Sequence, residues 1–240
     1  MYRTGNPALN DNVFKNTIPA SAGSMTIQGT VNKSFILFMI TLIGAAWIWG
    51  KPAQYMGFAV PAAIIGFIIA LITIFKKEWA PVTAPLYAAA EGVFLGGISS
   101  IFEAAYPGIV IQAVALTFGT FFCLLAAYRS GLIKPTENFK LGIVAATGGI
   151  AVVYLISWVM GFFGHGFTMI YSSGPAGIIF SLVVVVVAAL NLVLDFDFIE
   201  KGADAGVPIY MEWYAAFGLM VTLIWLYLEM LRLIGKVRSR

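Results

Sequence analysis

The chain has 240 residues, of which 60% are hydrophobic and only 10% are charged. A typical soluble domain is about 45–50% apolar and about 25% charged, so this composition excludes an ordinary water-soluble fold. The basic residues, with a formal net charge of +3, are too few and too scattered to bind nucleic acid.

The first 33 residues are polar, and we expect them to form a mobile cytoplasmic arm. Proline and glycine interrupt any long helix there, at Pro7, Pro19, Gly23 and Gly29. The stretch lacks the continuous apolar core of a cleaved signal peptide, so the first apolar helix is expected to act as an uncleaved insertion signal. Residues 34–240 are expected to form one transmembrane domain.

Seven apolar segments follow the arm, and most are long enough to cross about 30 Å of hydrocarbon as a helix. They cover approximately residues 34–49, 55–75, 81–101, 107–128, 141–163, 176–194 and 213–234. Long runs without period-two alternation disfavour strands. The predicted fold class is therefore all-α: a polytopic membrane bundle of about seven transmembrane helices.

The distribution of basic residues predicts a cytoplasmic N-terminus, because positive charge marks the cytoplasmic side of a membrane protein. In this orientation the arm and the inner loops contain every basic residue before the seventh segment except Lys51, which lies in an outer loop. The C-terminal residues disagree, since Arg232, Lys236, Arg238 and Arg240 would then lie outside. Either the seventh segment crosses against the rule, or it re-enters and returns; seven spans are preferred.

Small residues recur at helical spacing in two segments. Gly92 and Gly96 form a GxxxG pattern in the third segment. The fifth segment contains a similar set: Gly142, Ala145, Ala146 and Gly149. Small residues let helix backbones approach closely in lipid, so both sets are predicted to be packing surfaces rather than functional sites.

Few ionisable side chains lie within the apolar segments, and each is a functional candidate because inserting one costs about 2.5–3.5 kcal/mol. Glu91 lies near the middle of the third segment, and a structural or gating hydrogen bond is favoured there over an ion-ligand role. Asp195 and Asp197 close the sixth segment. Glu229 lies deep in the seventh, where pairing with Arg232 and a role in an ion pathway stay equally open.

Two helix faces are predicted to form what we call the polar lane. Its members on the sixth segment are Ser181, Ala188, Asn191 and Asp195, and on the seventh Ala215, Gly218, Thr222 and Glu229. If the faces meet, they enclose a narrow path ending in carboxylates, whose oxygens suit hard cations such as Ca²⁺. Asp195 is therefore a candidate calcium contact, with capping of the helix at the interface an equally open interpretation. For Asp197 the capping interpretation is favoured.

No enzyme is expected, because the catalytic motifs are absent. The sequence has no HExxH, and a single histidine, His165, excludes a histidine-based metal cluster. The carboxylates of Asp195 and Asp197 diverge on one helix and cannot share a proton as a protease dyad does. A P-loop and a dinucleotide fingerprint are also missing, so no cofactor is expected.

Five stretches after the arm carry a specific resemblance. They are Met25-Thr26 with Gly29-Thr30, EGVFLG at 91–96, Phe102-Glu103 with Tyr106-Pro107-Gly108, NLVLDFDFIE at 191–200 and MEWYAAFG at 211–218. These stretches are similar to those of the Bax inhibitor (TMBIM) membrane family, in its bacterial YccA-like branch. The resemblance implies a seven-helix fold with the last helix central, in a bacterial inner membrane.

The resemblance also implies a pH-sensitive calcium leak. In that family an Asp late in the sixth helix and an Asp in the seventh share a proton and latch the pore. Asp195 matches the first position, whereas the second falls on Thr222, which is not acidic. Glu229 and Glu91 are the candidates to replace the missing acid, and Asn191 completes the predicted ion pathway.

A second function is open, because some bacterial relatives are linked to a membrane-bound ATP-dependent protease as modulators. The chain is then a regulator that conducts nothing. The mobile arm suits this alternative because a partner protease could grip it, whereas the polar lane favours the calcium leak.

Overall fold

A computed structural model describes residues 23–49, 52–163, 170 and 172–239 of the chain. Within these residues it contains seven long helices, which we name α1 to α7 in chain order. Their bounds are Ile27–Ile48, Pro52–Phe75, Ala80–Ala105, Ile109–Arg129, Glu137–Phe162, Pro175–Asp204 and Met211–Arg238. Each contains a stretch that is long and apolar enough to cross a membrane, which confirms the predicted all-α polytopic bundle.

The distribution of exposed residues fits a lipid environment. Large apolar side chains such as Phe35, Ile43, Phe67 and Trp158 are exposed on the outer faces of the helices. The most apolar windows of α6 and α7 are each 61% buried, against 11% to 22% for α1, α2, α4 and α5. The chain is thus a multi-pass membrane protein, and α6 and α7 contain its most buried apolar windows among the described helices.

The chain divides into two compact units. The unit we call N-terminal comprises the described residues of 7–107 and 197–221. The unit we call C-terminal comprises the described residues of 108–196 and 222–240. Residues 1–22 of the predicted arm lie outside the described residues.

In the N-terminal unit, α1 and α3 pack closely through glycine. A Cβ atom on Gly92 would lie 2.5 Å from the carbonyl oxygen of Thr41, and one on Gly96 would lie 2.7 Å from that of Ala45. The hydroxyl of Thr41 donates to the carbonyl oxygen of Ala88 at 3.2 Å across the same contact. The predicted packing role of the GxxxG pattern is therefore confirmed.

The first helix begins at Ile27, so the predicted arm boundary at residue 33 is wrong for the described residues before it. Thr26 caps the helix, its hydroxyl accepting from the Gly29 amide at 2.9 Å. Met25 is buried, and its amide donates to the carbonyl oxygen of Val207 at 2.7 Å. The polar residues of the first two turns lower the hydropathy of the segment, but they do not prevent a helix.

The sixth helix continues to Asp204, about three turns beyond the predicted end at residue 194. Gly206, with a φ of 62°, follows the helix, as left-handed glycine does at many helix ends. Asp195 and Asp197 therefore lie inside the helix and are buried, which overturns the interface-cap interpretation for both. Asp197 instead pairs with Lys201 at 2.6 Å. The apolar run ends where the sequence indicated, but the helix does not.

Among the described residues, the predicted packing surface on α5 is not observed. A Cβ atom on Gly142 or on Gly149 would meet none of their atoms within 4 Å. Helical spacing identifies a stripe of small residues, but it cannot tell which stripe meets a neighbouring helix.

Candidate functional site

Four of the five predicted pathway residues are buried in the C-terminal unit. Asp195, Asn191, Thr222 and Glu229 are each at most 2% exposed. Polar side chains on apolar transmembrane helices that are hidden to this degree face protein rather than lipid. The fifth, Glu91, belongs to the N-terminal unit.

One hydrogen bond connects the first half of α6 to the end of α7. The ammonium of Lys236 donates to the hydroxyl of Ser181 at 2.7 Å. Fourteen residues before Lys236 lies Thr222, and fourteen residues after Ser181 lies Asp195. Because fourteen residues are close to four helical turns, both positions return to about the same faces of the antiparallel pair. In a pair of straight antiparallel helices this spacing would bring Asp195 and Thr222 to about the same level, where the resemblance places the two latch positions.

Asn191, one turn before Asp195, connects α6 to α5. Its amide nitrogen donates to the hydroxyl of Thr147 and to the carbonyl oxygen of Val187, both at 2.9 Å. The first bond fixes the side chain between two helices. A polar contact thus connects α5 and α6 within the C-terminal unit, and it includes Thr147, which the sequence did not indicate.

Glu229 belongs to a cluster of three side chains. Its carboxylate accepts from the Arg232 guanidinium at 2.6 Å and from the Tyr154 hydroxyl at 3.0 Å. The guanidinium also donates to the Tyr154 hydroxyl at 2.7 Å and lies 5.3 Å from the centre of that ring. The structure thus shows the Arg232 pairing that the sequence had left open. Tyr154 was missed because it lies on α5, 75 residues before Glu229.

Lys236 is buried inside the C-terminal unit. The sequence had instead suggested that it lies outside the membrane with the other basic residues of the C-terminus. Its ammonium donates to the carbonyl oxygens of Ile170 and Gly177 as well as to Ser181. Lys236 and Arg232 are therefore held by polar groups within the bundle. The positive-inside rule counts charges in loops, so these two residues no longer argue against seven spans.

Glu91 lies half-buried on α3, in the N-terminal unit. It shares a side-chain hydrogen bond with Tyr87. A Cβ atom on Gly66 of α2 would lie 3.0 Å from the Glu91 carboxylate, so glycine gives the carboxylate its space between the helices.

A second carboxylate, Glu212, connects the beginnings of α1 and α7 in the N-terminal unit. It accepts from the amide and the hydroxyl of Thr26, each at 2.9 Å, and it forms an ion pair with Lys33. A Cβ atom on Gly29 would lie 2.0 Å from the carboxylate, so only glycine leaves room there. Two of the stretches that carry the family resemblance thus meet in one contact, which sequence reasoning did not connect.

Among the described residues, no group of three or more His, Cys, Asp or Glu side chains could hold a metal ion.

The comparison with protein families decides the assignment. The chain matches the model for "Bax inhibitor 1 like" proteins over residues 6–239. The chain belongs to the Bax inhibitor 1 like family. Its seven membrane-spanning helices agree with the fold that the resemblance implied. A comparison with individually curated proteins returned no match.

Proposed function

We propose that this Bax inhibitor 1 like protein is a calcium-leak-type cation channel in which Asp195 is the ion-facing carboxylate at the gate. The observation that carries the proposal is the complete burial of Asp195 inside an apolar transmembrane helix. An ionisable side chain held in this position inside a membrane bundle is a functional candidate by default.

The path proposed for the ion follows the polar lane through the C-terminal unit. Asn191 and Thr147 provide neutral oxygens one turn from Asp195. Carboxylate, amide and hydroxyl oxygens can replace part of the hydration shell of a hard cation such as Ca²⁺. The proposal also requires that α6 and α7 alternate between a closed arrangement, which blocks the ion, and an open arrangement, which lets it pass.

Thr222 makes this gate chemically different from a two-carboxylate latch. A hydroxyl can donate a hydrogen bond to a carboxylate, but it cannot share a titrating proton with it. Glu229 does not replace the missing acid, because its carboxylate already pairs with Arg232 and Tyr154. The gate proposed here therefore has Asp195 as its single acid.

Calcium efflux from liposomes that contain only this protein tests the proposal. Dye-reported efflux well above that of protein-free liposomes is expected. Efflux equal to the protein-free control contradicts the channel and favours a non-conducting regulator of a membrane-bound ATP-dependent protease. In either case we propose that the protein is not an enzyme. We also propose that it belongs to the YccA-like branch, lies in a bacterial inner membrane and has a cytoplasmic N-terminus.

A further inference from the structure

The ammonium of Lys236 lies in a cradle of three oxygen atoms. Two are backbone carbonyl oxygens, from Ile170 and Gly177, and the third is the hydroxyl of Ser181. The three hydrogen bonds match the three donors of a lysine ammonium. Lys236 has an exposed fraction of only 6%, so this cation has exchanged its water for protein oxygens.

Neutral carbonyl and hydroxyl oxygens around a dehydrated cation are also the ligands that channel proteins use for potassium and other monovalent ions. We propose that the Ile170, Gly177 and Ser181 oxygens form a monovalent-cation site, which the ammonium of Lys236 occupies as a tethered ion. This inference extends the proposed channel function: at one end of the polar lane the protein's own cation takes the place of a permeating one.

Two further features favour a cation in the cradle. Lys236 lies in the last turn of α7, where the helix dipole stabilises positive charge. The end of α7 is also attached near the beginning of α6, because the hydroxyls of Ser239 and Ser173 lie 2.6 Å apart. This contact does not involve the lysine side chain, so it can still connect the two helix ends when that side chain is replaced.

The first test measures binding without any ion flux. Lys236→Met removes the ammonium and keeps a long apolar side chain, and thermal unfolding in detergent is compared in potassium chloride and in N-methylglucamine chloride of equal ionic strength. Potassium at about five times its dissociation constant should raise the melting temperature of the variant by about 2–4 °C, because it binds the folded state alone. The wild type, whose cradle is filled, should show no such rise.

Arg238→Met is the matched control, since Arg238 is an exposed cation two residues along the same helix. It should melt at the same temperature in both salts. Equal melting of Lys236→Met in both salts overturns the proposal, and so does an equal potassium effect in Arg238→Met. Adding Ser181→Ala to Lys236→Met removes one oxygen and should reduce the potassium effect.

If Lys236→Met does not fold, Lys236→Gln takes its place, because an amide still donates to a cradle oxygen without carrying charge. A smaller potassium-dependent rise is expected there, and its absence overturns the proposal. In liposomes, removal of the tethered cation should increase potassium efflux relative to the wild type and Arg238→Met. If potassium stabilises the Lys236 variant but its liposomes do not release potassium, the channel is rejected and the cation site is kept. If the liposomes release potassium but potassium does not stabilise the variant, only the cation site is rejected.

Discussion

Arg232 lies one turn after Glu229 on α7, and its guanidinium donates to the Glu229 carboxylate at 2.6 Å. The Glu229 side chain is almost fully buried, whereas that of Arg232 is partly exposed. The pair therefore neutralises a charge inside the C-terminal unit, and Tyr154 binds both partners from α5. This cluster of three side chains connects α5 to α7 within the C-terminal unit.

Breaking this pair should destabilise the fold. Glu229→Gln leaves Arg232 without its counter-ion, and we expect a loss of about 1–3 kcal/mol, below that of a fully buried pair because Arg232 is partly solvated. Thermal unfolding in detergent measures the loss. Arg232→Met combined with Glu229→Gln should recover part of it. Wild-type stability of Glu229→Gln would show that the ion pair contributes nothing.

The close contact of α1 and α3 predicts a strong effect of adding one methyl group. Gly92→Ala places a Cβ atom 2.5 Å from a backbone oxygen, so the two helices must move apart. A destabilisation of about 1–3 kcal/mol is expected from overpacking. Gly148→Ala on α5 is the control, because a Cβ atom there meets nothing within 4 Å. Equal melting temperatures for the two variants would contradict the packing described.

The hydrogen bonds of Glu212 predict that this carboxylate anchors the beginning of α1. Glu212→Ala removes the acceptor for the Thr26 amide and hydroxyl and for Lys33. Residues 24–30 should then exchange amide hydrogens faster, while α5 should be unchanged. Mass spectrometry of hydrogen exchange measures both segments. Unchanged exchange at residues 24–30 would show that the anchor lies elsewhere, for instance in the Met25 amide bond to Val207.

Seven spans with a cytoplasmic N-terminus predict the side on which each loop is labelled. In a Cys123→Ala background, Lys76→Cys and Lys134→Cys should resist an impermeant thiol reagent added outside intact cells. Ser239→Cys should react with it, because an odd number of spans puts the C-terminus on the opposite side. Protection of Ser239→Cys together with labelling of the other two would reverse the orientation. Protection at all three sites would favour a re-entrant last segment.

Hydropathy predicted the seven helices well, because a helix needs about twenty mostly apolar residues to cross the hydrocarbon of a bilayer. It failed at helix ends, where Lys33 lies in α1 before its apolar run begins and Asp197 lies in α6 after its apolar run stops. It also failed for partners distant in sequence. Tyr154 and Glu229 are 75 residues apart, and the bond between them depends on which faces of α5 and α7 meet. Periodicity gives the face of one helix but not its neighbour.

Calcium efflux from liposomes containing Asp195→Asn tests the central claim most directly. Asparagine keeps the shape of the side chain and removes the charge that attracts the ion. Asp197→Asn is the matched control, since Asp197 lies two residues away and pairs with Lys201. We expect Asp195→Asn to reduce efflux about tenfold, equivalent to about 1.4 kcal/mol, and Asp197→Asn to keep the wild-type rate. Wild-type efflux through folded Asp195→Asn, or an equal loss in both variants, would contradict Asp195 as the ion-facing carboxylate.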